Sequence, residues 1–297
     1  MEFGKVESLE GINWELPPDD PSNPVFETSV PPRFFAGATA WGVKNWVGKI
    51  YPEQTPADKF LYQYSRAFSC IELNSSHYRI PAKETTAKWL EQVPKDFIFC
   101  PKILKDISHS AVGLLDDVRL SAWLDFLKNL DAHCGPSFIQ FHERFSYEEK
   151  YHLFKFLERW PSEFKLSIEL RHRSWFQDHK LLPALADYLR RRRIGVVITD
   201  VAGRRDVLHT TLTAPWSLVR LVGNELDPSD EFRLQQWALR TKQWQSTGLE
   251  EAYLFFHQPE DVCTIEFAEK GREVFEASGF SDFPKIEKIQ ARDLFSF

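Results

Sequence analysis

Eight short apolar runs, spaced along the chain from residue 33 onward, are the feature that most constrains the fold. Near-continuous apolarity over so few residues is typical of parallel strands covered on both faces, where the alternation of inward and outward residues is lost. A longer stretch of helical periodicity follows most of these runs. The predicted strands are RFFAGA (33–38), SCIELN (69–74), FIFCPK (97–102), SFIQFH (137–142), KLSIEL (165–170), GVVITD (195–200), LVRLVG (218–223) and YLFFHQ (253–258).

The stretches between the runs place apolar residues on one helix face. Trp123, Phe126, Leu127 and Leu130, for example, fall at positions i, i+3, i+4 and i+7. Eight strand–helix units in roughly 260 residues match the size of a (β/α)8 barrel. The pattern therefore predicts an α/β protein with one TIM-barrel domain over residues 33–297. A doubly wound open sheet is the alternative, because periodicity alone does not show closure.

Residues 1–32 differ from the rest of the chain. Six of the eighteen prolines lie in PPDDPSNPVFETSVPP (17–32), and proline both fixes φ and lacks a backbone donor. The composition predicts either an extended N-terminal arm or a disordered leader. Trp14 is the residue that would dock such an arm to the surface of the domain.

Charge and cysteine content narrow the setting in which the protein works. A formal net charge of −6 gives no broad attraction to nucleic acid or to an anionic membrane. Cys70, Cys100, Cys134 and Cys263 are widely separated and form no CxxC pair, which favours reduced thiols. The chain has no signal-peptide pattern and no apolar run of about 20 residues. We therefore expect a cytoplasmic protein with no membrane partner.

Nearly every predicted strand ends in polar or charged residues. In a parallel barrel the carboxyl ends of the strands surround one opening, so these side chains are expected to converge there. Because ions are costly to bury without partners, such a ring indicates either a functional site or a structural network of ion pairs. The residues are Glu72, Asn74, Lys102, Gln140, His142, Glu169, Arg171, His172, Asp200, Arg220 and His257.

Several ordered motifs run along the chain: GATAWGVKNWVGKIYP (37–52), YSRAFSCIELNSSHYRIP (64–81), WLEQVPKDFIFCPK (89–102), His109, IELRHRSW (168–175), VITD (197–200) and LVRLVG (218–223). Together they resemble the YecE-like domain-of-unknown-function family, DUF72, over about residues 34–275. This resemblance implies a TIM barrel and no settled activity, although a structural relationship to metal-dependent barrel enzymes such as endonuclease IV has been proposed for the family.

The chain departs from the usual pattern of that family at three strand ends. His142, Glu143 and Arg144 stand where the family tends to have a proline pair. Val222 replaces a histidine after the arginine of the seventh strand, and His257 stands where asparagines are common. These differences predict a remodelled site, so a substrate shared with the family does not follow.

The first functional interpretation is an enzyme that acts on a small anionic or sugar-like substrate by acid/base chemistry. Carboxylates and imidazole supply the acid and base, and arginine and lysine bind anions. The predicted catalytic residues are Glu72, Glu169, Asp200 and His172. The predicted substrate-binding residues are Asn74, Tyr78, Lys102, His109, Gln140, Arg171, Arg220 and His257.

Two other interpretations stay open. A nucleic-acid-binding or endonuclease IV-like protein is suggested by the family analogy and by the run RRRR (190–193), although that run is also typical of a solvated helix end on the opposite face of a barrel. The third interpretation is a ligand-binding barrel without catalysis.

No cofactor is predicted, because the chain has no GxGxxG, GxxxxGK[ST] or GxSxG motif. A divalent metal such as zinc or manganese is a weaker hypothesis, since the ligand types are present without a local signature such as HExxH. The candidate ligands are Glu72, His109, His142, Glu169, His172, Asp200 and His257.

Overall fold

Eight parallel strands form one barrel in the computed structural model, which describes residues 4–281 and Phe283. Residues 1–3 of the predicted arm and residues 282 and 284–297 of the predicted domain lie outside the described residues. The strands are β1 (Arg33–Ala38), β2 (Cys70–Leu73), β3 (Ile98–Pro101), β4 (Ser137–Gln140), β5 (Leu166–Glu169), β6 (Gly195–Asp200), β7 (Trp216–Val222) and β8 (Glu251–His257).

The sheet is closed, which excludes the doubly wound alternative. Its hydrogen-bonded order is β3-β2-β1-β8-β7-β6-β5-β4, and all of these pairs are parallel. The two end strands are joined by backbone hydrogen bonds: Gly135 N donates to Phe99 O at 2.9 Å, and Ile103 N donates to Phe138 O at 2.8 Å. The predicted (β/α)8 barrel is therefore confirmed, and each predicted run contains most of one strand.

Helices cover the outer face of the barrel. The predicted stripe of Trp123, Phe126, Leu127 and Leu130 is buried against the sheet, as the period of 3.6 requires. The helices are α1 (Phe60–Ala67), α2 (Lys83–Leu90), α3 (Lys105–Ser108), α4 (Ala111–Leu114), α5 (Asp117–Leu130), α6 (Lys150–Arg159), α7 (Pro183–Arg192), α8 (Pro228–Ser246) and α9 (Thr264–Ala277). Among the described residues, no helix has the length and apolarity needed to cross a bilayer.

The prediction of eight strand–helix pairs is wrong at the sixth unit, where no α-helix follows the strand. After β6 the chain forms only a 3-10 segment, Ala202–Val207, and then runs extended through a buried stretch at 208–214. Four of those residues, 209–211 and 213, are histidine or threonine, which lack the apolar stripe and the strong propensity that a helix needs.

The N-terminal arm is an ordered, extended segment lying between α7 and α8, beside the unit that has no helix. On the α7 side, Arg190 Nη2 donates to Ser22 Oγ at 3.0 Å. On the α8 side, the indole of Trp244 donates to Asp19 Oδ1 at 2.9 Å. The buried Asp20 carboxylate accepts a hydrogen bond from Thr211 at 2.6 Å. These bonds explain how a proline-rich segment with no ladder of its own is held against the barrel.

Two further features fix the course of the arm. The ring of Trp14 lies 5.0 Å from the Arg233 guanidinium, so the predicted docking residue does contact the domain. Gly248, just after α8, has φ +91°, and a Cβ there would stand 2.0 Å from the carbonyl oxygen of Phe26. Glycine is therefore required for this close approach of the arm backbone.

The barrel interior is apolar at the amino ends of the strands. Inward-facing residues such as Phe35, Cys70, Phe138, Val197 and Tyr253 form a buried cluster separate from the core beneath the helices. This filling makes the interior a packed plug rather than a channel. In the described part of the chain, the carboxyl ends of the strands are therefore the side from which a ligand can reach the interior.

Candidate functional site

The layer above the apolar plug is polar, and it arises from the two-residue period of the strands. Inward-facing residues at 70, 100, 138, 167, 197, 218 and 255 are each followed, two positions later, by a polar residue on the same face. These residues are Glu72, Lys102, Gln140, Glu169, Thr199, Arg220 and His257. Together with Asn74 and Arg171 we call them the carboxyl-end cluster.

Arg220 is the centre of the carboxyl-end cluster and bridges two carboxylates. Its Nε and Nη2 each donate to one oxygen of Glu72 at 2.9 Å. Its Nη1 donates to Glu169, at 2.9 Å to Oε2 and at 3.2 Å to Oε1. The arginine is 1% exposed, so both pairs lie away from water. A planar guanidinium is suited to this double bidentate geometry.

Hydrogen bonds continue from Glu169 toward the mouth of the barrel. Arg171 Nε donates to Glu169 Oε1 at 2.7 Å, and Gln140 Nε2 donates to Oε2 at 2.8 Å. The other end of the Gln140 amide, Oε1, accepts from Lys102 Nζ at 2.9 Å. Glu169 therefore orients an arginine, a glutamine and, through the glutamine, a lysine.

Glu72 organises the opposite side of the cluster. His257 Nε2 lies 2.9 Å from Glu72 Oε2, and Asn74 Nδ2 donates to Oε1 at 2.9 Å. On the Glu169 side, Thr199 Oγ1 donates to Oε1 at 3.0 Å. Thr199 was missed by the sequence analysis, although the alternation of β6 would have placed it on the inner face.

Both carboxylates are held in the ionised state. Burial alone would raise the pKa of Glu72, but Arg220 and His257 hold it well below its ordinary value. Burial would also raise the pKa of Glu169, but the positive charges of Arg171 and Arg220 outweigh burial and lower this pKa to about 2. Neither group is therefore suited to exchange protons near neutral pH.

Lys102 is in a different environment from the other ions of the cluster. It is 9% exposed, and its ammonium contacts the neutral amide oxygen of Gln140. Within the part of the chain that the structure describes, no carboxylate oxygen lies within 4.0 Å of Nζ. Burial, and then the positive charge of Arg220, lower the pKa of Lys102 to about 8. Lys102 is therefore a group of the cluster that can gain and lose a proton near neutrality.

Three histidine rings lie in a row beside the mouth. The rings of His77 and His109 are 5.3 Å apart, and those of His109 and His142 are 6.0 Å apart. Burial and the charge of Lys102 lower the pKa of His77 to about 4, so this ring is neutral at pH 7. A cavity of about 180 Å³ is lined by His109 and His142 together with Arg144.

Asp200, a predicted catalytic residue, lies outside the cluster. Thr199 faces inward, so the next residue on the strand faces outward. The Asp200 carboxylate accepts from the indole of Trp237 at 2.8 Å and pairs with Arg233 at 3.2 Å and with Arg205. It anchors α8 and the 3-10 segment against β6, so its observed contacts are those of a structural residue.

His172 and Tyr78 are also not brought into the cluster. His172 caps the 3-10 turn Arg173–Trp175, with Nδ1 accepting from the backbone N of Ser174 at 3.2 Å. Tyr78 is 78% exposed, with its ring 5.4 Å from that of His77. Both residues follow strand ends in sequence, but among the described residues neither side chain hydrogen-bonds to a member of the carboxyl-end cluster.

The metal hypothesis finds no support in this geometry. Among the described residues, no group of three or more histidine, cysteine, aspartate or glutamate side chains is arranged to hold an ion. Glu72 and Glu169, two of the candidate ligands, are instead bridged by Arg220. A cation of the chain itself thus neutralises the carboxylates.

The other polar features of the surface are used structurally. In the run RRRR, Arg190 bonds to Leu212 O at 3.2 Å and Arg192 to Leu157 O at 2.8 Å. The run ends α7, just before β6, on the face opposite the mouth. A cavity of about 430 Å³ between the arm and α7 is lined by Asp20 and Arg190, each already hydrogen-bonded within the chain.

The fold and the cluster together define a (β/α)8 barrel with a buried, charged, arginine-bridged site at the carboxyl ends of its strands. The sequence model described as "Protein of unknown function DUF72" matches residues 35–285. The chain therefore belongs to the DUF72 family, as the sequence motifs predicted.

Relatives of known sequence or structure agree with this assignment. The UPF0759 protein YecE of Escherichia coli strain K12 is 30% identical over 244 residues, covering 76% of this chain and 86% of that protein. A DUF72 family protein from Enterococcus faecalis V583 aligns with a TM-score of 0.65 and 19% identity, covering 82% of this chain and 97% of that one. A DUF72 family protein from Thermotoga maritima MSB8 aligns with a TM-score of 0.62 and 20% identity, covering 82% of this chain and 98% of that one. These structures support the fold alone.

Proposed function

We propose that the protein is an enzyme acting on a small anionic or sugar-like substrate, anionic by preference, through acid/base chemistry at the carboxyl ends of the barrel strands. Lys102 is the group that transfers the proton, and Arg171 binds the negative charge of the substrate. The observation that carries the proposal is the ammonium of Lys102, buried and hydrogen-bonded to a neutral amide rather than to a carboxylate. Buried lysines are otherwise almost always paired.

The cations of the cluster support an anionic over a neutral ligand. Arg220 is engaged by Glu72 and Glu169, and Arg171 pairs with Glu169 two residues further toward the mouth. Carboxylates and phosphates are the ligands that guanidinium and ammonium groups bind.

The roles of Glu72 and Glu169 change accordingly. The sequence analysis predicted them as acid and base, but carboxylates whose pKa is lowered this far make weak bases near neutral pH. In the proposal they position Arg220, Arg171 and Gln140, and Gln140 in turn positions Lys102. They are therefore positioning residues.

The proposal is tested by binding and by proton exchange. Pyruvate and dihydroxyacetone phosphate serve as anionic probes, with glucose as the neutral probe, and binding is measured by isothermal titration calorimetry. Exchange of the hydrogens next to the probe carbonyl with D₂O is followed by proton NMR. We expect anion binding that Arg171→Gln weakens at least tenfold, and exchange that Lys102→Met abolishes.

The matched control is Arg191→Gln, an exposed arginine at the opposite end of the barrel. It is expected to leave binding and exchange unchanged. Failure of both anions to bind, or equal binding by the wild type and Arg171→Gln, refutes the proposal. Binding without exchange instead supports the non-catalytic ligand-binding barrel.

A further inference from the structure

We propose that Lys102 is a covalent catalyst, whose amine forms an imine with the carbonyl carbon of a small anionic ketone or aldehyde. This inference rests on the proposed function and names the substrate class of the same site. It would place the protein among enzymes that activate a carbonyl compound for proton removal or for carbon–carbon bond chemistry.

The first support is the hydrogen-bond partner of the amine. Gln140 Oε1, at 2.9 Å, is a neutral acceptor that can accept from an ammonium or from a neutral amine, and it favours the ammonium less than a carboxylate would. A glutamate at this position would favour the ammonium, which is not a nucleophile. The amide is held in this orientation because its Nε2 donates to Glu169 at 2.8 Å. The cluster thus presents a fixed neutral acceptor to the lysine.

The second support is the charge around the amine. Burial and then the positive charge of Arg220 lower the pKa of Lys102, and Glu72 and Glu169, which act in the opposite direction, are both paired with arginine. Burial and neighbouring cations are the two means by which proteins generate a nucleophilic lysine near neutral pH. Arg171 and Gln140 donate to the two oxygens of the same carboxylate, Glu169, so Arg171 and the Gln140–Lys102 pair lie around one side chain.

The chemical step needs no additional reactant. The lone pair of the neutral amine forms a C–N bond with the carbonyl carbon, and the electron pair of the C=O bond moves to oxygen. Both amine hydrogens leave with that oxygen as one molecule of water, giving the C=N bond. Nothing is oxidised or reduced, and hydrolysis reverses the step. Uptake of one proton from solvent gives the protonated imine, which acidifies the adjacent C–H bond more strongly than the parent carbonyl does. Lys102 then promotes loss of the substrate proton through the imine, and solvent water accepts that proton.

The experiment is reductive trapping in the full-length protein. The protein is incubated with pyruvate or dihydroxyacetone phosphate plus sodium cyanoborohydride, and the product is examined by intact mass and peptide mapping. We expect one reduced adduct per chain at Lys102, formed at least tenfold faster than at Lys105. Lys105 is the internal control because it is an exposed lysine three residues further along.

Lys102→Arg keeps the positive charge and is expected to lose the adduct while probe binding by calorimetry is retained. Binding of a probe to the wild type without a Lys102 adduct overturns the imine and leaves the proposed function standing. If a probe binds but labels Lys102 no faster than Lys105, the imine is likewise overturned and the proposed function stands. If neither probe binds nor labels Lys102, both proposals fail.

Discussion

Replacing Arg220 by methionine tests whether the bridge is the main structural support of the site. Methionine roughly fills the volume of the aliphatic part of the arginine side chain. It removes the four hydrogen bonds to Glu72 and Glu169, all between 2.9 and 3.2 Å. Removing one partner of a buried ion pair typically costs about 3–5 kcal/mol. Arg171 and His257 still contact one carboxylate each, so we expect a loss of about 4 kcal/mol rather than the sum of two such costs.

The cost should depend on pH in a defined direction. Without Arg220 the pKa values of Glu72 and Glu169 rise, because burial is no longer opposed by the bridging cation. In the variant these groups then gain protons on folding, so lowering the pH favours its folded state relative to the wild type. The destabilisation is therefore expected to be largest near pH 7.5 and smaller near pH 5.

The assay is urea denaturation of both proteins at the two pH values, with Arg191→Met as the control at the opposite end of the barrel. The control should shift the free energy of unfolding by no more than about 0.5 kcal/mol. A loss below about 1 kcal/mol for Arg220→Met, or one that does not change with pH, would show that the two carboxylates do not depend on this arginine.

Two further predictions concern stability. Glu169 has a pKa of about 2 in the folded protein, below its ordinary 4.5, so its stabilisation is fully present above pH 4.5 and is lost as the pH falls toward 2. We expect this loss to be about 3 kcal/mol and the acid unfolding curve of Glu169→Gln to be flatter in that window. Asp20→Ala, which removes the acceptor of Thr211 and Ser22, should lower the urea midpoint by the equivalent of about 2–4 kcal/mol and speed proteolysis of the arm; unchanged proteolysis would contradict the anchoring role.

The barrel was predictable because its signal is local and repeated. Each apolar run is a strand buried on both faces, and a stripe such as Trp123–Leu130 shows its period within one helix. The sixth unit was not predictable in the same way. The N-terminal arm lies where the helix of this unit is missing. It is held there by contacts such as the hydrogen bond between Thr211 and Asp20, which are 191 residues apart in sequence. No local pattern records such a contact.

Most of the residues that meet at the carboxyl ends of the strands were predicted to do so, but the ion pairs that they form were not. Glu72, Lys102, Gln140, Glu169, Arg220 and others do converge at one end of the barrel. Which of these ions pair with each other depends on side-chain conformations that a sequence does not contain. In the proposed function, the bridge by Arg220 makes the two predicted catalytic carboxylates positioning residues and Lys102 the reactive group.

Asp200 and Thr199 show how strand alternation separates structure from chemistry at a barrel mouth. The two residues are adjacent on β6, yet one contacts Glu169 inside the barrel and the other contacts Arg205 outside it. Arg205 also donates to the carbonyl oxygens of Trp14 and Glu15, so the outer face of this strand end holds the arm. A charged residue at a strand end is therefore evidence for a site only after its face is known. For the same reason, a change of Asp200 is expected to act through the arm and α8, whereas a change of Thr199 acts directly on the cluster.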